Sequence, residues 1–181
     1  VLIPACNEAA SIESTALGLL EQTYPNLQLI FINDRSTDET GEIIDRLAGQ
    51  NERITAIHIE TLPDGWLGKV HALHVATAQA SGEWLLYTDA DVQFEPNALV
   101  ELMQFAQSHE IDHLAGLPRM KPAGILIEIA IAAFYTSSMF FVSAKRVANV
   151  DDPLAVGVGA LNLVRASALK QTEGFEWLKM E

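Results

Sequence analysis

A near-continuous apolar run ends in two carboxylates in the segment Trp84-Leu85-Leu86-Tyr87-Thr88-Asp89-Ala90-Asp91. Such a run is typical of a parallel strand that is covered on both faces of a sheet. In open α/β sheets, ligands bind at the carboxyl ends of such strands, so the segment indicates a binding site as well as a fold. Two acids near one ligand repel each other unless a cation lies between them, and their oxygens suit Mg²⁺ or Mn²⁺. The alternative is a polar turn, because Asp is common where a strand ends.

A second apolar run, at 27–32, is followed by Asn33-Asp34-Arg35-Ser36-Thr37-Asp38-Glu39-Thr40. Ser36 and Glu39 match a capping box, which predicts that a helix begins there. Asp34 precedes that box, at the tip of the predicted strand. Its position favours a contact with a ligand, although a turn residue would also fit.

The first strand is predicted at Val1-Leu2-Ile3, and it should end at Pro4, which cannot continue a central ladder. Asn7 is then expected to cap a helix. Glu8 would lie in the first turn, where an acid complements the helix dipole. Both residues have structural explanations, so neither indicates a function by itself.

The composition is that of an α/β domain. The chain has 181 residues, of which 49% are hydrophobic, and this suffices for one sizeable core. Apolar runs alternate with helical patterns, and a well-marked helix follows Pro96. The alternation predicts a mostly parallel sheet flanked by helices. Strands are expected near Val1, Leu27, Ile54, Trp84 and His113.

The net charge of -13 argues against binding to nucleic acid, which needs a basic surface. It also strengthens the case for a divalent cation, because acids around a diphosphate would otherwise repel it. The single cysteine, Cys6, fits a reducing compartment. His71 and His74 lie one helical turn apart, but no further Cys or His at a supporting spacing completes a zinc site.

Gly68 and Lys69 open a predicted helix, and a helix start beside a lysine is favourable for an anion. The segment is not a Walker loop, because Val70 stands where that motif requires Ser or Thr. A surface lysine at a helix start is the alternative.

The apolar stretch 125–144 approaches the length of a membrane span, but Glu128 and the polar residues 136–138 interrupt it. We expect a helix that packs on the domain or makes peripheral contact with a membrane surface. A later segment, 156–165, predicts a strand that contains Gly157 and Gly159. Such glycines indicate close approach of a ligand or of another backbone, with a bulge as the alternative.

Four ordered motifs resemble the signature of family-2 glycosyltransferases, which are inverting enzymes with the GT-A nucleotide-diphospho-sugar transferase fold. They are Pro4-Ala5-Cys6-Asn7-Glu8, Asn33-Asp34-Arg35-Ser36-Thr37-Asp38, Gly65-Trp66-Leu67-Gly68-Lys69 and Thr88-Asp89-Ala90-Asp91. The similarity covers nearly the whole chain. Within that family, the chain most resembles membrane-associated bacterial members, including hopanoid-biosynthesis-associated transferases.

The resemblance implies a role for each motif. It places the donor nucleotide against Pro4, Ala5, Asn7, Glu8, Asp34, Lys69, Asp89 and Ala90. Asp34 would accept a hydrogen bond from uracil, and Lys69 would approach the phosphate or sugar. Asp89 would contact the ribose or the metal, and Asp91 would bind the metal on the diphosphate, which is Mg²⁺ or Mn²⁺. Gly159 and Ala160 would lie near the acceptor.

The resemblance also implies an enzyme that moves a sugar from a nucleotide-diphospho-sugar, with a UDP-sugar expected, to a hydroxyl of a lipid or saccharide. The catalytic base is expected beyond Glu181, so the chain is expected to be one GT-A domain cut at both ends. Its donor-binding part would cover 1–118 and its acceptor-side part 119–181. The full-length protein is expected at the cytoplasmic face of the membrane.

Three alternatives lie in other classes. A sugar-1-phosphate nucleotidyltransferase would normally carry a Gly-rich basic loop where Pro4-Ala5-Cys6-Asn7-Glu8 stands. A nicotinamide-binding domain would need Gly-x-Gly-x-x-Gly at the same place. A sugar-nucleotide-binding module without turnover is the non-enzyme alternative.

Overall fold

The computed structural model describes residues 1–119, 124–141, 144–147, 149 and 157–179. Within them, six strands form one sheet in the order β3-β2-β1-β4-β6-β5. The strands are β1 Leu2–Ala5, β2 Leu29–Asp34, β3 Ile54–Ile59, β4 Trp84–Tyr87, β5 His113–Ala115 and β6 Asn162–Arg165. The helices are α1 Ile12–Leu20, α2 Thr40–Gln50, α3 Gly68–Gln79, α4 Ala98–Ser108, α5 Ile125–Phe141, α6 Ala144–Val147 and α7 Ala166–Leu169, followed by a 3-10 turn at Glu176–Leu178.

The sheet is mostly parallel. Strand β1 pairs in parallel with β2 and β4, and β2 pairs in parallel with β3. Strand β6 lies antiparallel between β4 and β5. The predicted α/β fold is confirmed, and the carboxyl ends of β1, β2 and β4 meet at one edge.

Helices cover the sheet on both faces, which explains why 29–32 of β2 and 84–87 of β4 are apolar at every position. In β2, Phe31 belongs to the core under α1, α2 and α4, whereas Ile30 and Ile32 belong to the core under α3. Successive side chains of a strand point to opposite faces, so both sets must be apolar. On α3 the fully buried positions are Ala72 and Ala76.

Two predicted helix starts are wrong. Helix α1 begins at Ile12, and the backbone of Asn7 has φ 59°, so Asn7 does not cap it. Helix α2 begins at Thr40, and the Ser36 hydroxyl accepts a bond from the Asn7 N–H instead of closing a capping box. In both cases a contact between two loops replaces the local bond.

The late strand is shorter than predicted. Strand β6 begins at Asn162, so Gly157 and Gly159 precede it, and Val156 lies outside the described residues. The Asn162 side chain bonds both the N–H and the carbonyl of Val158, which closes a turn before the strand. The glycines therefore belong to a loop.

The first of the two arrangements predicted for 125–144, a helix packed on the domain, is not what the structure shows for α5. Its large apolar side chains are mostly exposed, and Leu126 reaches 83%. No helix in the described residues has the length and apolarity needed to cross a bilayer. Residues 142–143 of the predicted stretch lie outside the described part.

Candidate active site

A cleft of about 320 Å³ lies at the carboxyl ends of β1, β2 and β4. Four acids and one lysine line it, and the full lining is Pro4, Ala5, Cys6, Glu8, Asp34, Lys69, Asp89, Ala90 and Asp91. A larger cavity of about 520 Å³ lies at the opposite ends of the strands, beside Leu2 and Trp84. We place the site in the smaller cleft because the convergent charged groups are there.

The loop that carries Asp89 and Asp91 is held from two sides. The Thr88 hydroxyl donates to the Ala160 carbonyl at 2.7 Å, and the Thr15 hydroxyl of α1 donates to the Ala90 carbonyl at 2.7 Å. Thr15 and Thr88 are buried, so these bonds are shielded from water. Both carboxylates thereby start from a fixed backbone.

Lys69 lies across the cleft from that loop and pairs with the Asp89 carboxylate. Gly159 lies beside the pair, because a Cβ added there would be 3.2 Å from both the Asp89 Oδ2 and the Lys69 Nζ. A side chain at position 159 would therefore crowd the ion pair. The structure thus brings the predicted acceptor-side glycine against the predicted donor site.

Asp34 is buried in the wall of the cleft, with 5% of its surface exposed. Both of its oxygens accept bonds from Arg35, at 2.7 Å from Nε and 3.0 Å from Nη2. The Asp34 hydrogen bond raises the pKa of the Arg35 guanidinium above its ordinary value. Gly68, at the start of α3, leaves room for this pair, because a Cβ there would lie 2.7 Å from the Asp34 Oδ2.

The loop after β1 is held by the loop after β2. Three backbone N–H groups of the first loop donate to side chains of the second, from Asn7 to Ser36, from Glu8 to Thr40 and from Ala9 to Asp38. In the reverse direction, the Thr37 N–H of the second loop donates to the Asn7 side chain. Asn7 is used in this contact and does not line the cleft. Asp38 also accepts from the Thr40 hydroxyl, which lowers its pKa.

Trp66 anchors the loop that leads into α3. The rings of His71 and His74 lie 5.2 and 4.9 Å from its ring, and the Lys179 ammonium lies 4.7 Å above it. Burial lowers the pKa of His71. The two histidines are thus used in packing rather than presented together to a ligand.

The chemistry of the donor set fits a divalent cation held jointly with a ligand. Asp89 and Asp91 offer hard oxygens, which suit Mg²⁺ or Mn²⁺. In the described part of the chain, no three His, Cys, Asp or Glu side chains group to hold a metal by themselves. Magnesium sites of this type use one or two carboxylates and complete the shell with phosphate oxygens and water.

Three residues of the site were missed from the sequence. Arg35 and Thr15 touch site residues, and Cys6 lines the cleft. Arg35 directly follows a strand-tip acid, which is a usable signal for an ion pair. Thr15 lies 75 positions from its partner, and no local pattern reveals that contact.

The family described as Glycosyl transferase family 2 matches residues 1–171. A curated relative, Glycosyltransferase AglD of Haloferax volcanii, is 37% identical over 121 residues, which are 64% of this chain and 19% of that protein. The mannosyltransferase PcManGT of Pyrobaculum calidifontis, solved with GDP-Man and Mn²⁺, superposes with a TM-score of 0.69 at 23% identity over 95% of this chain and 45% of its own. S. aureus TarS, solved with UDP-GlcNAc, gives 0.62 at 21% identity over 93% and 45%.

The chain spans less than half the length of each of these three proteins. The two solved structures share the mixed sheet with flanking helices, so the predicted GT-A architecture is confirmed. The closer likeness to hopanoid-biosynthesis-associated transferases stays a prediction. With a family match over nearly its whole length, this chain belongs to glycosyl transferase family 2.

Proposed function

We propose that the protein is an inverting glycosyltransferase that uses a nucleotide-diphospho-sugar, specifically a UDP-sugar. The observation that carries this proposal is the convergence of Asp34, Lys69, Asp89 and Asp91 on one cleft in a family-2 chain. Similar folds have been solved with GDP-Man and Mn²⁺ and with UDP-GlcNAc, which supports a donor of this class.

The donor would lie along the cleft with its base toward Asp34 and its diphosphate toward Asp91. Pro4, Ala5 and Glu8 would line the nucleoside. Uracil carries an N3–H, which a carboxylate accepts, whereas cytosine has an acceptor at N3. This difference is our reason for proposing uracil.

Asp91 and Asp89 would hold the divalent cation, and Lys69 would bind a phosphate oxygen. The cation, when bound, supplies positive charge to the leaving diphosphate. Asp91 is exposed toward the cleft, and Lys69 lies at the start of α3, where backbone N–H groups also favour an anion. These residues orient the donor so that its anomeric carbon faces the acceptor side, near Gly159 and Ala160.

The reaction would be direct displacement at that carbon by an acceptor hydroxyl, which breaks the bond to the diphosphate and inverts the configuration. A general base takes the hydroxyl proton. No described residue is assigned as this base, and Glu181 lies outside the described residues.

We also propose a lipid or saccharide acceptor and a peripheral membrane contact through 125–144, at the cytoplasmic face. The support is the exposed apolar surface of α5, formed by Ile125, Leu126, Ile127, Ile129 and Phe134. An apolar helix at the surface is favourable where a bilayer interface can cover it. Flotation with liposomes should be lost in Leu126→Glu, and equal flotation of that variant would contradict the contact.

The function is tested by incubating the full-length protein with labelled UDP-sugars, Mn²⁺ and a lipid extract or oligosaccharides. Transfer of label, with Asp91→Asn inactive and Glu101→Gln unaffected, is the expected result, since Glu101 lies on the exposed face of α4. Release of pyrophosphate from UTP and a sugar phosphate would indicate a nucleotidyltransferase instead. Binding of UDP without either reaction would indicate a module without turnover.

A further inference from the structure

Asp34 and Arg35 form a two-pronged ion pair in the wall of the cleft. The two bonds, at 2.7 and 3.0 Å, join one edge of the guanidinium, its Nε and Nη2, to the two carboxylate oxygens. A carboxylate that is 5% exposed needs a partner of this kind, because burial of an unpaired charge is costly. The fork also fixes the plane of the carboxylate, which a single bond to a lysine would leave free to rotate.

The backbone of Arg35 is in the left-handed region, with φ 57°. Side chains other than glycine are unfavourable there, and Asn and Asp tolerate it better than Arg. Strain of this sort persists where the surrounding structure requires the residue. The surrounding structure requires the side chain of Arg35, because its guanidinium holds the Asp34 carboxylate.

Gly68 leaves the space that the Asp34–Arg35 ion pair occupies. A Cβ at Gly68 would lie 2.7 Å from the Asp34 Oδ2 and would overlap the Arg35 Nη2. The first residue of α3 therefore has to be a glycine for the guanidinium to reach its place. The positive φ of Arg35 and the absence of a side chain at Gly68 thus both permit the contact between Arg35 and Asp34.

We propose that Arg35 is a positioning residue that sets the base selectivity of the donor site, an inference that rests on the proposed function. Arg35 holds the Asp34 carboxylate in one orientation while Asp34 still faces the cleft. Each carboxylate oxygen accepts more than one hydrogen bond, so Asp34 keeps capacity for the base. An acceptor of fixed direction selects uracil, which offers an N3–H, over cytosine, which offers a lone pair.

The test compares the affinities of UDP and CDP for the full-length protein by calorimetry in Mn²⁺. The two ligands share the ribose, the diphosphate and the metal, so their affinity ratio reports the base contact. Arg35→Gly relieves the strained backbone but removes the fork, and Arg35→Lys keeps the charge without the fork. Glu110→Gly is the matched control, because Glu110 also has a positive φ, 52°, but lies after α4 and outside the cleft lining.

We expect both Arg35 variants to lower UDP affinity about tenfold or more and to reduce the UDP-over-CDP ratio by a similar factor, as loss of an oriented charged contact does. Glu110→Gly should leave both values unchanged. If Arg35→Gly fails to fold, as judged by thermal unfolding, the Arg35→Lys ratio decides. An unchanged ratio, or tighter UDP binding without the arginine, would overturn the role of Arg35 alone. Failure of the parent protein to bind any nucleoside diphosphate would overturn the proposed function and this inference together.

Discussion

Replacing Lys69 by Met should weaken binding of the donor diphosphate while leaving the stability of the fold nearly unchanged. The Lys69 and Asp89 side chains are 51% and 35% exposed, and an ion pair this exposed contributes about 0–1 kcal/mol. A lysine in the first turn of α3 also opposes the helix dipole, at a cost of about 0.3–1 kcal/mol. The two terms have opposite signs, so the free energy of unfolding should change by less than about 1 kcal/mol.

Binding of the diphosphate should change far more in the same variant. A hydrogen bond between charged groups is worth about 1.5–3 kcal/mol, which corresponds to about 10- to 150-fold in affinity. Calorimetry with UDP and Mn²⁺ measures this loss, and urea denaturation measures the stability. Lys170→Met is the control, since Lys170 is exposed and follows α7 outside the cleft lining. A Lys69→Met protein that binds UDP within about twofold of the parent would refute the phosphate contact.

Three other changes have expected outcomes. Chelation of divalent cations should lower the affinity of the parent protein for UDP. The Asp91→Ala variant in Mn²⁺ should bind UDP no more tightly than the parent does in chelator. Equal UDP affinity of the parent with and without metal would remove the bridging role of Asp91. Thr15→Val should cost about 1–3 kcal/mol in urea denaturation, because the Ala90 carbonyl then lacks its buried donor, and an unchanged midpoint would contradict this. The lowered pKa of Asp38 makes its contribution to stability complete above the unfolded pKa of about 3.9 and lost as the pH falls through the folded value. Asp38→Asn should therefore flatten the fall in stability below about pH 3.9. Parallel pH profiles for the two proteins would argue against that linkage.

The fold could be predicted because its signals are local. A strand with both faces buried is apolar at every position, and 29–32 and 84–87 show this directly. Helix α4 carries its own markers, with Pro96 before it and Leu99, Met103 and Ala106 on one face. The short strand β6 had weaker signals, because it is set by pairing with β4 and β5 rather than by its own composition.

Helix starts were less predictable where two loops meet. Ser36 and Glu39 match a capping box, yet Ser36 bonds Asn7 and Asp38 bonds both Ala9 and Thr40. A local hydrogen bond and a long-range one compete for the same hydroxyl. The sequence motif contains only the first of these, so it could not indicate which bond forms.

The sequence by itself determined the α/β class, the family resemblance and the positions of Asp34, Asp89 and Asp91 at strand ends. Those features depend on residue type and short spacing, which every chain carries in its primary structure. Only the tertiary structure decided that Lys69 meets Asp89 beside Gly159 and that the guanidinium of Arg35 fits against Gly68. Such contacts depend on the order of strands in the sheet and on the space left between loops, and residues far apart in the chain set both.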